Sequence, residues 1–282
     1  MKVYYDLDCL LHNPPHEILS GRLVPYLESP DRVRRIKDAL TKSGSFELHL
    51  PEQDWPHDVL HYVRMVHSED YVNHIKNIYD EWVAEGGDET LGNVSRPPGH
   101  HAQDALCGGY CYFNNAAIAA RYLLEYRDSG ALAILDIDYH HGNGSRWPMF
   151  GLESRFDRRG FVAAQQIFYE DPRVLYVSLH ADGDYPYFTG SADERGAGAG
   201  FGFNHNFPIP RRACTDEVYC DMLQQAAGMI KKHPIHYLIV SLGVDTYQED
   251  PICDFLLTAR CYPRIGEIIA SIGKPTLFVM EG

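Results

Sequence analysis

The sequence predicts an α/β protein in which a mainly parallel sheet lies between layers of helices. Short apolar and β-branched runs at residues 131–138, 173–180, 237–245 and 275–280 alternate with segments of helical periodicity. The first three runs also end in residues capable of chemistry, and in parallel sheets covered on both faces ligands gather outside the carboxyl ends of the strands.

Taken in order, Ser29-Pro30-Asp31 marks a helix entry, with an N-cap residue followed by proline at the first helical position. Lys42-Ser43-Gly44 marks its exit. Residues 68–84 repeat apolar side chains at helical spacing before Gly86-Gly87, and residues 114–127, 215–232 and 258–272 complete the helices. Ala197-Gly198-Ala199-Gly200-Phe201-Gly202 has the glycine density of a phosphate loop, but no strand precedes it and no helix follows. It reads as a flexible loop feeding the next strand.

A chain of 282 residues with 45% hydrophobic content buries a full core, and nothing in it reads as a linker between two domains. No stretch reaches the roughly 20 apolar residues of a membrane span. The opening Met1-Lys2-Val3-Tyr4-Tyr5-Asp6 lacks the apolar core of a secretory signal, so a cytoplasmic or nuclear location is expected. Seven scattered cysteines without a C-x-x-C pair fit reduced thiols, and Cys111 reads as a small buried residue. The formal charge of −14 argues against a nucleic-acid surface and suits cationic substrates or basic protein tails.

The chemistry concentrates in two runs, Arg96-Pro97-Pro98-Gly99-His100-His101 and Asp136-Ile137-Asp138-Tyr139-His140-His141, and in a later Gly243-Val244-Asp245. Asp138 and His140 stand two apart at the end of an apolar run, where alternate strand residues project to one face, so both are expected to reach a common ion. Asp245 is the candidate third ligand. Two carboxylates and one imidazole leave positions open for water and a substrate carbonyl, the arrangement of a catalytic zinc site; iron(II) and manganese fit the same donors. The Pro97-Pro98-Gly99 turn would hold His100 and His101 rigidly beside that ion, where an imidazole with a pKa near ~6.5 can take and return a proton.

These residues resemble the arginase-like, zinc-dependent histone deacetylase superfamily, and within it the acetylpolyamine amidohydrolases. The resemblance rests on the two histidine runs, on Gly108-Gly109-Tyr110-Cys111-Tyr112-Phe113-Asn114-Asn115 and on Ser241-Leu242-Gly243-Val244-Asp245-Thr246. It implies a three-layer fold, zinc held by Asp138, His140 and Asp245, and His101 as general base and acid, with His100 assisting electrostatically. It further implies that Asp136 pairs with His100, that Asn143 partners His101, and that a structural potassium ion is held by Asp136, Asp138, His140, Ser178 and Leu179. Gly109 would accept the amide N–H of the substrate, between channel walls formed by Tyr110 and Phe188. The implied substrate is a small cationic acetylated amine, foremost an acetylpolyamine, with protein acetyl-lysine as the alternative; homo-oligomers occur among such relatives.

Three departures from the family pattern accompany the resemblance: a gap near residues 86–95, an insertion near residues 146–164, and an end at Gly282 ahead of the tyrosine that in the family polarises the substrate carbonyl. One deacetylase-like domain over 1–282 with an incomplete fold is therefore expected, and a catalytically silent homologue that binds metal or acetylated ligand is the alternative function.

Overall fold

The computed structural model describes residues 1–19, 22–26, 29–52, 54–86, 98–126, 130–142 and 164–282. The chain runs β1 (Lys2–Tyr4), a 3-10 turn (Leu7–Leu10), β2 (His16–Leu19), β3 (Arg22–Pro25), α1 (Pro30–Ser43), β4 (Glu47–His49), α2 (Val59–Arg64) and α3 (Glu69–Ala84). It continues through α4 (Asn115–Tyr126), β5 (Leu132–Asp136), α5 (Ala164–Ile167), β6 (Val174–Ala181), a 3-10 turn (Gly198–Gly200) and β7 (Asn204–Ile209). The last elements are α6 (Asp216–Ile230), β8 (Tyr237–Leu242), α7 (Cys261–Ala270) and β9 (Thr276–Met280). The gap near 86–95 and the insertion near 146–164 lie largely or wholly outside the described residues.

Contacts within the chain fall into two compact units, Met1–Leu60 with Glu69–Pro97, and His61–Ser68 with Pro98–Gly282. In the first, β1 pairs in parallel with β4, and β2 forms an antiparallel hairpin with β3. Sequence reading missed these short strands because each offers only three or four residues of pattern. Helix α1 follows its predicted signals: Ser29 is extended ahead of Pro30, and Gly44 adopts φ 68°, where its N–H returns to the Thr41 carbonyl.

The second unit is built on a five-stranded sheet of order β7-β6-β5-β8-β9, with every pairing parallel. All five residues of β5 and all eight of β6 are buried, which is why both read as unbroken apolar runs. The period of two divides the strands between opposite faces. Ala133, Leu135, Leu175, Val177, Leu238 and Val240 meet Tyr219, Leu223, Ala227 and Ile230 of α6 and Ile265 and Ile269 of α7. Leu132, Ile134, Val174, Tyr176 and Ile239 meet Ala116, Ala117, Ala120 and Leu124 of α4. Helices thus cover both faces. Each fully buried leucine contributes on the order of 2 kcal/mol, and Leu223→Ala, at a fully buried α6 position, would cost roughly 2–5 kcal/mol.

Helix α6 starts at Thr215, whose hydroxyl accepts the Val218 N–H, with Asp216 and Glu217 in the first turn where the helix dipole favours negative charge. The glycine-rich segment at 197–202 contains the 3-10 turn and leads into β7, as a loop feeding a strand should. It is held in place: the Ala197 N–H donates to Tyr169 O at 2.9 Å, and the Gly202 N–H to Arg195 O at 2.6 Å. No helix among the described residues is long and apolar enough to cross a membrane.

From β5 the chain builds outward through β6 and β7, then returns to place β8 on the other side of β5. Beyond the carboxyl ends of β5 and β8, this reversal opens the crevice in which sheets of this kind bind ligands.

Candidate metal centre

Strand β5 ends at Asp136, so Asp138 and His140 lie beyond the ladder rather than on alternate strand positions. The expectation of a shared strand face is corrected accordingly. Their convergence comes from a local turn, in which Asp138 Oδ1 accepts the His140 N–H at 2.9 Å. Asp245, just past β8, is tied to the same turn because its Oδ1 accepts the Tyr139 N–H at 3.0 Å.

Three donor atoms then face one another: His140 Nδ1 is 3.3 Å from Asp138 Oδ1 and 3.0 Å from Asp245 Oδ2. Tetrahedral ligation at about 2.0–2.2 Å places donor atoms roughly 3.3–3.6 Å apart, so each carboxylate oxygen stands near ligand spacing from His140 Nδ1. Burial opposes a charged His140 ring, but the hydrogen bonds to Asp138 and Asp245 and their charges outweigh it and raise the His140 pKa to about 10. Asp138 feels the same burial yet is held well below the usual carboxylate range by His100 and His140. Asp245 is pushed upward by burial and by the charge of Asp138.

Burial at this site selects for glycine. A Cβ on Gly243 would collide with the Asp138 carboxylate, and one on Gly109 with the His101 ring. Gly99 is equally constrained: its Cβ would come within 2.7 Å of the Phe113 carbonyl and 2.8 Å of the Asn115 nitrogen. This close passage lets the Pro98-Gly99 turn deliver both histidines, which are buried, to the crevice.

The His100 and His101 rings lie 4.0 Å apart between centroids, and His101 lies 5.8 Å from the His140 ring. His100 Nδ1 is 3.2 Å from Asp136 Oδ2, and its Nε2 is 3.6 Å from Asp138 Oδ1. Burial disfavours the charged ring, but Asp138 and Asp136 overcome it and raise its pKa well above the usual histidine value. Asp136 is further held by the Tyr176 hydroxyl, which donates to Oδ2 at 3.0 Å. The expected pairing of Asp136 with His100 is therefore present, and Asp136 also stands opposite Ser178 in the β5–β6 register. Asn143, expected to partner His101, lies outside the described residues.

Gly109 and Tyr110 both adopt positive φ, 53° and 65°. The Gly109 carbonyl accepts the Cys111 thiol at 3.3 Å. Phe188, also at positive φ, is 86% exposed.

Sequence reasoning missed four contributors. Tyr185 places its ring 5.0 Å from His101 and 6.1 Å from His140. Cys253 Sγ lies 3.7 Å from Asp245 Oδ2 and 3.8 Å from His140 Nε2. Glu281, at the end of β9, accepts the backbone N–H groups of Gly99 and His100. Tyr176, on β6, supports Asp136 from below. Only the position of Glu281 at a strand's carboxyl end carried a signal, the same one that marked Asp136. His140, Asp245 and Cys253 form one His/Cys/carboxylate cluster with metal-ligand spacing, and His100, Cys111 and Glu281 form another.

A parallel sheet with helices on both faces, with candidate metal-ligand groups and a buried histidine pair beyond its strand ends, suits a metal-dependent hydrolase. The histone deacetylase domain matches residues 83–150 and 163–282, and the chain belongs to that family. It is 35% identical to acetylpolyamine amidohydrolase 2 of Pseudomonas aeruginosa over 100% of this chain and 93% of that protein. It is 48% identical to acetylpolyamine amidohydrolase 1 of the same organism over 67% of this chain and 49% of that protein. Among solved structures, the acetylpolyamine aminohydrolase from Burkholderia pseudomallei superposes with a TM-score of 0.84 at 28% identity, covering 100% of this chain and 93% of its own.

Proposed function

We propose that this protein is a zinc-dependent amidohydrolase that removes acetyl groups from small cationic amines, with acetylpolyamines as the substrate class. The observation that carries the reading is that Asp138 and Asp245 each place a carboxylate oxygen 3.0–3.3 Å from His140 Nδ1, next to a histidine pair in which Asp136 holds His100. Its similarity to acetylpolyamine amidohydrolases supports the choice of substrate. The whole chain is read as one deacetylase-like domain acting in the cytoplasm.

Asp138, His140 and Asp245 would hold the zinc. Once bound, it supplies Lewis acidity toward the acyl carbonyl and makes a water more acidic. His101, whose ring packs through Cδ2 against Gly109, takes the proton from the attacking water and returns it to the departing amine. His100 stays charged between Asp136 and Asp138, and offsets negative charge that develops beside it. The Gly109 carbonyl accepts the substrate N–H, with Tyr110 and Phe188 guiding an extended aliphatic chain and attracting its cationic tail. Asn143 is the proposed partner of His101. Asp136, Asp138, His140, Ser178 and Leu179 would hold a potassium ion, and a site rich in oxygen donors suits such a hard cation.

The test is acetate release by the purified chain from an acetylated diamine and from an acetyl-lysine peptide. Turnover that a chelator abolishes, that zinc restores and that Asp245→Asn removes is the expected result. Preference for the peptide would move the assignment to protein deacetylation. Folded protein that holds one zinc and hydrolyses neither would overturn the enzymatic reading in favour of a ligand-binding homologue.

A further inference from the structure

Tyr139 stands between two of the proposed ligands, Asp138 and His140, and is fully buried, with its ring 4.6 Å from that of Phe255. Its hydroxyl reaches two carboxylates, Asp184 Oδ2 at 2.7 Å and Asp254 Oδ1 at 2.6 Å. A phenol has one proton to donate, so two ionised carboxylates on one hydroxyl oxygen repel each other unless a cation joins them. Arg211 is that cation. Its Nε lies 3.3 Å from Asp184 Oδ2 and 3.2 Å from Asp254 Oδ2, and its Nη2 lies 3.0 Å from Asp254 Oδ2. Arg212 Nε adds a contact of 3.1 Å to Asp254.

The chain positions of the two carboxylates give the cluster its significance. Asp184 precedes Tyr185 and accepts its N–H at 2.7 Å, and the Tyr185 ring packs edge-on against His101 and His140. Asp254 follows Cys253, whose thiol touches Asp245 and His140. One hydroxyl therefore gathers the two loops that close over the metal ligands and the general base.

We propose that Arg211 is a positioning residue for the metal centre: through Asp184 and Asp254 on the Tyr139 hydroxyl, it fixes the loops that hold Tyr185 and Cys253 against His101, His140 and Asp245. The effect on turnover rests on the deacetylase reading of the site; the effect on loop position does not. Arg211 is 39% exposed at its side chain, and ion pairs this open add little to global stability, so its loss should move the loops without unfolding the protein.

The experiment uses the full metal-free chain and follows the ring protons of His101 by NMR, identified by their loss in His101→Gln and referenced to Tyr185→Leu. In Arg211→Met the His101 signals are expected to move toward their Tyr185→Leu positions, because the aromatic ring beside them has shifted. Asp184→Asn in the Arg211→Met chain is expected to bring them back, since an amide no longer repels Asp254. Arg211→Lys, which keeps the charge but not the fork, should move them less. Unchanged His101 signals in Arg211→Met and Arg211→Lys, or no recovery in the double variant, would overturn the proposal. In the zinc-loaded protein Arg211→Met should lower kcat roughly 10- to 100-fold with KM nearly unchanged. Shifted and restored signals in a chain without turnover would leave the clamp standing and remove only the deacetylase reading.

Discussion

Glu281 and His100 are separated by 181 positions in the chain, yet the Glu281 carboxylate accepts the His100 backbone N–H at 3.1 Å. The same carboxylate accepts the neighbouring Gly99 N–H, so the end of β9 holds the turn that presents the histidine pair. Burial raises the Glu281 pKa to about 7, against the lowering influence of His100 and the Gly99 N–H.

Glu281→Ala should leave two buried donors without this acceptor, at about 1–3 kcal/mol each. Glu281→Gln, which resembles the protonated acid, should cost less. Urea denaturation of the two variants checks the order, and equal losses would show that the carboxylate does not anchor the turn.

Gly243 lies against Asp138 closely enough that any Cβ must displace the carboxylate. Gly243→Ala is therefore expected to weaken binding of the proposed zinc about 10- to 100-fold, as does disturbing the support of a metal ligand in general. Competition with a chromophoric chelator measures this. Gly228→Ala, in α6 with nothing within 4 Å of the new Cβ, is the control and should be neutral or slightly stabilising.

His67 is neutral for a structural reason. Its Nε2 accepts the Asn114 N–H at 3.0 Å, so the proton must sit on Nδ1, 2.7 Å from the Gln103 carbonyl. Burial lowers its pKa from 6.5 to about 4. Between those values the unfolded chain binds the proton and the folded chain does not, so this contribution is complete above pH 6.5 and fades as pH falls toward 4. The full loss is up to roughly 3 kcal/mol. Denaturation curves for the wild type and His67→Gln should differ in slope across this window and run parallel above it.

The thiols divide by burial. Cys107 is exposed, whereas Cys111, Cys214 and Cys253 are buried and burial pushes their pKa values upward. Brief alkylation of the native protein at pH 8, read by mass spectrometry, should label Cys107 and spare those three. Rapid labelling of Cys253 would show that the loop over Asp245 opens readily.

Much of the second unit could be read from the sequence because its physics is local. Strands β5 and β6, buried on both faces, read as continuous apolar runs, and in the first unit α1 is likewise bounded by Pro30 and Gly44. The proposed ligands Asp138, His140 and Asp245 stood out as ionisable residues at strand ends, where packing alone gives no reason for them.

What the sequence determined by itself was the class of fold, the family resemblance and a candidate set of metal donors. Tertiary structure alone decided how those donors converge, through the turn beyond β5 and the return of β8 beside it. It alone also brought Glu281 under His100, Tyr185 onto His101, and Asp184 and Asp254 onto the Tyr139 hydroxyl. The physical reason is distance along the chain: periodicity and caps report on neighbours a few residues apart, whereas a buried carboxylate finds its partner only after the sheet has brought distant strand ends together.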